Sequence, residues 1–250
     1  NFAPGQPDDD AGLGGNGECL HLFNAAGQWN DTNCAATGFV VGRVCEYEPR
    51  CGDGVIQPAQ SETCDDGNSV SFDGCSATCR VETLFFSEYV EGSGGTNKAV
   101  EIANPSLAPR NLTGCSLRLY TNGSPTPSQT VALTQTIAGG DVLVVCNPAS
   151  VAAILGQCDV QSGSVANWNG DDAIELFCGS ASVDVIGQLG VDPGVEWGTA
   201  PTSTADQTLR RKCSVSAGDT NGADLFNPAA EWTSLGTNVF TDLGIRTCSP

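Results

Sequence analysis

Two groups of acidic and amide side chains are spaced so that they could hold a hard cation. Asp53, Asp65, Asp66, Asn68 and Asp73 crowd one short segment, and Gln6, Asp8, Asn30 and Asp31 lie nearer the N-terminus. Carboxylate and amide oxygens are the ligands calcium takes. A calcium ion with open positions can also coordinate neighbouring sugar hydroxyls. The first group has a second reading, because Asp and Asn are common turn formers. Covalent or acid–base catalysis finds less support. His21 is the sole histidine, it lies between Leu20 and Leu22 in an alternating stretch, and no nucleophile motif is near it, so we read it as a strand residue. Asp171-Asp172 with Glu88 could form an acid pair for hydrolysis, but Asn169-Gly170-Asp171-Asp172 reads better as a turn. Arg210-Arg211-Lys212 is the one basic cluster. It could meet phosphate or an acidic partner, and we favour a strand end facing nearby carboxylates in ordinary surface ion pairs.

Those side chains belong to a strongly acidic chain. Among 250 residues, 29 are acidic and 10 basic, a net charge of −19. This balance argues against nucleic acid and anionic membrane surfaces as partners. No apolar run approaches the roughly 20 residues of a membrane helix. Thirteen cysteines spread along the chain indicate a secreted, disulfide-bonded protein. One histidine and no Cys-x-x-Cys pair make zinc a poor alternative. Thirteen is odd, so at least one cysteine lacks a partner within this sequence. The chain has no methionine and starts at Asn1, which we read as a processed terminus or a fragment edge.

The elements that must position these residues are short strands. Gly and Pro (31 and 13 residues) suit strands and tight turns. Cysteine spacing divides the chain into residues 1–48, 49–82 and 83–250. In the last part, Leu84–Glu91, Lys98–Ala103, Cys115–Tyr120, Thr130–Ile137, Val142–Cys146, Ala173–Cys178, Val183–Gly187 and Thr208–Cys213 read as strands. Ser150–Leu155 reads as a short helix with Ser150 as N-cap. Leu117, Leu119, Val131, Leu133, Val142, Val144, Ile174 and Leu176 fall at alternate strand positions, as a two-layer sandwich requires. The middle part has too few apolar residues for a core, so Cys51, Cys64, Cys75 and Cys79 must hold it, in any of three pairings. In the last part, Cys146 and Cys158 flank the helix and Cys178 and Cys213 end two strands. Elimination then leaves Cys115 with Cys248.

Each part resembles a known family. Gln6-Pro7-Asp8, Cys19-Leu20-His21-Leu22, Trp29-Asn30-Asp31, Cys34 and Val44-Cys45-Glu46 resemble the C-terminal part of the C-type lectin fold. That resemblance implies calcium, galactose-type sugars and a Cys19–Cys34 disulfide. It gives Cys45 a partner in an upstream half that is absent here, leaving Cys45 unpaired in this chain. The family often has an acid two residues before the cysteine matching Cys19; Gly17 stands there, with Glu18 beside it. Cys51-Gly52-Asp53-Gly54, Glu62-Thr63-Cys64-Asp65-Asp66-Gly67-Asn68 and Asp73-Gly74-Cys75 with Cys79 resemble a cysteine-rich repeat of secreted myxobacterial proteins. Phe85–Ser93, Lys98–Ile102, Asn169–Ile174, Asp184–Gly187 and Thr208–Lys212 resemble the bacterial, secreted lamin tail domain. This implies an immunoglobulin-like sandwich that serves as a non-catalytic accessory module.

The expected protein is therefore mainly β: an immunoglobulin-like β-sandwich of the lamin tail type, preceded by a small disulfide-rich knot and a partial C-type lectin-like segment. The expected role is non-enzymatic, extracellular, and structural or adhesive, at a cell surface or in a filament. Self-association or neighbouring subunits are the expected partners, since a neighbour could supply missing strands. The alternatives are a calcium-dependent, galactose-type lectin that binds glycans and the accessory tail of a secreted hydrolase.

Overall fold

In the computed structural model, residues 51–71 and 73–246 are described in full. Residues 18–22, 29–33 and 44–45 are described by backbone only. Near the N-terminus, β1 (Glu18–Leu22) lies between antiparallel β2 (Trp29–Asn33) and β3 (Val44–Cys45). The chain from residue 51 to 82 has almost no regular structure. It is closed by Cys51–Cys79 and Cys64–Cys75, so the nested pairing is chosen from the three that spacing allows.

Two packed sheets follow. In chain order their strands are β4 (Phe85–Glu91), β5 (Lys98–Ala103), β6 (Arg110–Asn111), β7 (Cys115–Tyr120), β8 (Gln129–Leu133), β9 (Thr136–Ile137) and β10 (Val142–Cys146). Helix α1 (Ala152–Leu155) and then β11 (Val160–Gln161), β12 (Ala173–Cys178), β13 (Ala181–Ile186), β14 (Gly198–Thr199), β15 (Thr202–Ser203), β16 (Thr208–Arg211), α2 (Pro228–Glu231) and β17 (Trp232–Gly236) complete it. One sheet has the order β11-β10-β5-β4-β16-β17 and the other β13-β12-β7-β8. Every pairing within them is antiparallel except β10 with β11. This is the expected mainly-β, immunoglobulin-like sandwich. Its central core includes Phe86, Tyr89, Ile102, Leu117, Leu119, Leu143, Val145, Ile174, Leu176 and Trp168.

The six-stranded sheet is covered on its other face as well. A second core holds Val90, Ala99, Val144, Cys146, Ile154 and Leu243, contributed by the sheet, α1 and the C-terminal segment. This corrects the phase expected for β10: Leu143 and Val145 face the other sheet, and Val144 faces outward into the second core. Alternation cannot choose the inward face of a strand that is apolar on both sides. Strand β4 breaks alternation too. Its register shifts between Phe86 and Glu88, so Phe86 and Tyr89, three apart, both point inward. A bulge of this kind adds one residue and re-aims the side chains beyond it.

Other local expectations are corrected. Thr130–Ile137 is two strands, because the chain leaves β8 at Thr134-Gln135 and β9 pairs with β6. Ser150 does not cap α1; its hydroxyl donates to the Thr96 carbonyl (2.7 Å) and so fastens the turn before β5. Cys146–Cys158 forms as expected. Cys115, however, pairs with Cys178 and not with Cys248, and Cys178 is thereby denied to Cys213. The reason is sheet order: β7 and β12 are neighbours and their register sets Cys115 opposite Cys178, with Cα atoms 4.0 Å apart. Cys213 is itself disulfide-bonded, and Cys248 lies outside the described residues.

The Cys115–Cys178 bridge spans 63 positions. Chain-entropy arguments give a crosslink of that length about 4 kcal/mol. Replacing both residues by Ser should lower the unfolding free energy by about that amount in urea titrations followed by tryptophan fluorescence.

Candidate functional site

The lectin-like residues are described only in part. Gln6, Asp8 and Cys34 lie outside the described residues. Glu18 is on β1, and Asn30 and Asp31 are on β2, opposite His21 and Leu20. His21 thus lies on a strand. Cys19 faces Thr32 in one neighbour and Cys45 in the other by backbone register.

In the cysteine-rich segment, the acidic side chains turn towards backbone N–H groups. Gly52 sits so close to Asn68 that a Cβ there would lie 2.7 Å from its carbonyl oxygen. This close approach brings the N–H groups of Gly52 (3.0 Å), Asp53 (3.2 Å) and Gly54 (2.9 Å) onto the Asp65 carboxylate, which Gly67 N–H also reaches at 2.8 Å. Burial alone would raise the Asp65 pKa, but these four donors together hold it below the ordinary carboxylate value. Asp53 accepts from Val55 N–H and the Gln57 amide, Asp66 from Asn68 N–H, and Asn68 Oδ1 from Val70 N–H. Asp73 accepts from the Asn68 amide, the main cause of its lowered pKa, and its Oδ1 is buried without a hydrogen-bond partner. These contacts are the ones that the turn reading of the acidic residues calls for. Glu62, Asp65 and Cys79 also converge. The Cys79 sulfur is in a disulfide and Glu62 accepts from Gln57 N–H, so this trio offers no thiolate ligand.

Three charged centres of the sandwich hold the residues at issue, beside a fourth in which buried Glu175 accepts from Arg118 and from the Tyr120 and Ser182 hydroxyls, and Glu88 is not in the one that holds Asp172. The first centre joins the sheets. Asp184 on β13 is fully buried and accepts from Phe86 N–H of β4 (2.6 Å) and Arg211 Nη1 of β16 (3.1 Å), and also from Asp219 N–H (2.8 Å). Arg211 continues to Glu231 of α2 and lies over the Trp232 ring. This pair is buried, unlike the surface pairs expected of the basic cluster. Beside it is a cavity of about 300 Å³ walled in part by Asp219, Asp224 and Phe226. Lys212 donates to the Ala229 and Ala230 carbonyls.

The second centre lies under the C-terminal segment. Glu88 and Glu101 are opposite one another on β4 and β5. Arg210 grips Glu88 through Nε and Nη2 (3.0 and 2.9 Å) and reaches Asp242 through Nη1 (2.8 Å). Glu101 accepts from the Ser87 hydroxyl (2.6 Å) and Gly244 N–H (2.7 Å). Burial pushes Glu88 up to about 7, and burial raises Glu101 as well. Burial likewise pushes Asp184 up to about 6, against the pull of Arg211.

The third centre lines a polar cleft of about 410 Å³ where the turns before β5, after β7 and before β12 meet. Lys98 is buried and ion-paired with Glu91, whose other oxygen accepts from Asp206 N–H. Asp172 accepts from Asn122 N–H (3.0 Å), and burial raises its pKa. Gly170 makes the turn possible. Its φ is +105°, and a Cβ there would meet Ala205 at 2.7 Å. Trp168 closes the floor, stacked on Tyr89 and donating to the Val90 carbonyl (3.0 Å). Sequence reading gave no role to Glu91, Lys98, Asp184 or Trp168. A local signal existed only for Asp184, a charge within the apolar run 183–186; Glu91 and Lys98 stand at strand ends and Trp168 lies between strands.

Two outcomes follow. Asp184→Ala should cost about 3–5 kcal/mol, because it strands a buried guanidinium. Asp242→Ala, on the half-exposed partner of Arg210, should cost under about 1 kcal/mol. Both are read by urea denaturation. Separately, Glu88 and Asp184 hold protons more tightly folded than unfolded, where they titrate near 4.5 and 3.8. Their contribution is complete below those values and is lost as pH rises through about 6 and 7. Calorimetry should therefore show the sandwich melting higher at pH 5 than at pH 8, and Glu88→Gln should flatten that slope.

Comparison with known proteins supports a family match over the cysteine-rich segment and a lamin tail match over much of the sandwich, and shows no C-type lectin part. Residues 40–80 match a family described as a domain of unknown function, DUF4215. A 35-residue stretch is 57% identical to Pappalysin-1 from Homo sapiens and 60% identical to Pappalysin-1 from Mus musculus. Each match covers 14% of this chain and 2% of the relative, so the chain spans a very small part of those proteins. No solved structure matches. Residues 80–190 match the Lamin Tail Domain family, and β16 and β17, which complete the six-stranded sheet, lie beyond that match.

Proposed function

We propose that this is a non-enzymatic extracellular protein with a structural or adhesive role, a subunit of a filament or surface assembly. The observation that carries this reading is the use made of the charged residues. Asp184 and Arg211, Glu88 and Arg210, and Glu91 and Lys98 neutralise one another inside the sandwich. The hydroxyl–carboxylate contact within these centres, Ser87 with Glu101, is buried beneath the C-terminal segment. A lamin tail domain of immunoglobulin-like fold fits such a role in general. Disulfides in both the cysteine-rich segment and the sandwich fit an oxidising, extracellular setting. No described helix is long and apolar enough to cross a membrane.

Material from the natural source, weighed natively and then under reducing, denaturing conditions, tests the assembly. The expected result is a particle many times heavier than the 25.6 kDa of this chain. A glycan array with and without chelator is expected to stay blank; calcium-dependent galactose binding would instead establish the lectin alternative.

A further inference from the structure

We propose that the exposed edge of the four-stranded sheet, strand β8, is where a second copy of this chain adds, antiparallel and centred on Val131. The inference rests on reading the protein as an assembling one. β8 ends its sheet and, among the described residues, pairs only with β7. Its outer side therefore carries a row of backbone groups with no strand beside it. Natural proteins protect such edges with charge, proline or a bulge. Gln129-Thr130-Val131-Ala132-Leu133 has none of these, and its register with β7 is unbroken.

The remaining sheet edges differ. Gly218–Gly222 lies along β13, so close that a Cβ on Gly218 would sit 2.2 Å from the Val183 carbonyl. β11 is only two residues long, and β17 has α2 and β15 packed beside it.

Charge identifies the occupant as another copy. The chain carries a net −19, so two copies repel across most of their surface. From Leu119 to Gly140 there is no charged residue at all. This neutral stretch contains the whole of β8 and the turns at both of its ends. Two copies can meet there without opposing carboxylates. The strand also suits a two-fold axis through Val131. Thr130 and Ala132 are exposed on the outer face and would stand beside each other's counterparts, while half-buried Val131 and buried Leu133 extend the inner apolar face across the junction. The result is one continuous eight-stranded sheet.

Sedimentation equilibrium on the full chain tests this. The wild type should dimerise, more tightly at 150 mM than at 10 mM salt, as screening weakens the net repulsion. Thr130→Glu/Ala132→Glu sets four carboxylates around the axis and should weaken dimerisation at least tenfold. Val195→Glu/Leu225→Glu changes two exposed residues elsewhere, carries the same net charge, and should leave it within twofold. Circular dichroism and melting verify that both variants fold. Self-association that resists the β8 substitutions would overturn this interface and leave the assembly reading standing. A wild type monomeric to millimolar concentration, its β8 left to a foreign strand or to none, would overturn both.

Discussion

Asp184 and Arg211 meet at the seam between the two sheets. Asp184 rises from the four-stranded sheet, and its partners, Phe86 N–H and Arg211, come from β4 and β16 of the six-stranded sheet. Taking both charges out of water is costly. The cost is offset only because the carboxylate is held by backbone N–H groups as well as the guanidinium, and the guanidinium goes on to Glu231 and Trp232. Such an arrangement fixes geometry more than it adds stability. Hydrophobic layers alone could slide; a buried carboxylate with directional donors from two strands cannot, without losing partners it has no water to replace.

The same logic explains why residues that look reactive are quiet. Glu88, Glu101 and Asp172 are raised by burial, a property that active sites also show. Here the raised carboxyls sit under a packed C-terminal segment or at the floor of a turn-lined cleft. Asp65 shows the opposite shift in the cysteine-rich segment, where the carboxylate organises backbone N–H groups in place of a hydrophobic core. Acids thus serve as internal fasteners in both segments, by burial in one and by turn capping in the other, with disulfides closing each.

Covering both faces of the six-stranded sheet has a consequence for the surface. The outer face of β4, β5 and β10 is occupied by α1, Phe240 and Leu243. The places left open among the described residues include the cleft between turns and the outer side of β8, and these two differ in character. The cleft is charged and internally paired, whereas β8 is neutral and presents backbone. An acidic protein that associates with itself needs a surface of the second kind.

The sequence by itself determined the mainly-β class, the division of labour between disulfides and core, and most strand positions. These depend on composition and on side-chain alternation, which are local. Lys98–Ala103, Cys115–Tyr120, Val142–Cys146 and Ala173–Cys178 are strands with the bounds read from their residues. Strand order, and everything that depends on it, was decided by the tertiary structure. Cys115 meets Cys178 because β7 lies beside β12, Val144 faces outward because a distant segment covers it, and Arg211 is buried because Asp184 waits on the other sheet. Each of these is a contact between residues far apart in the chain, and local pattern carries no record of which distant element will be the neighbour.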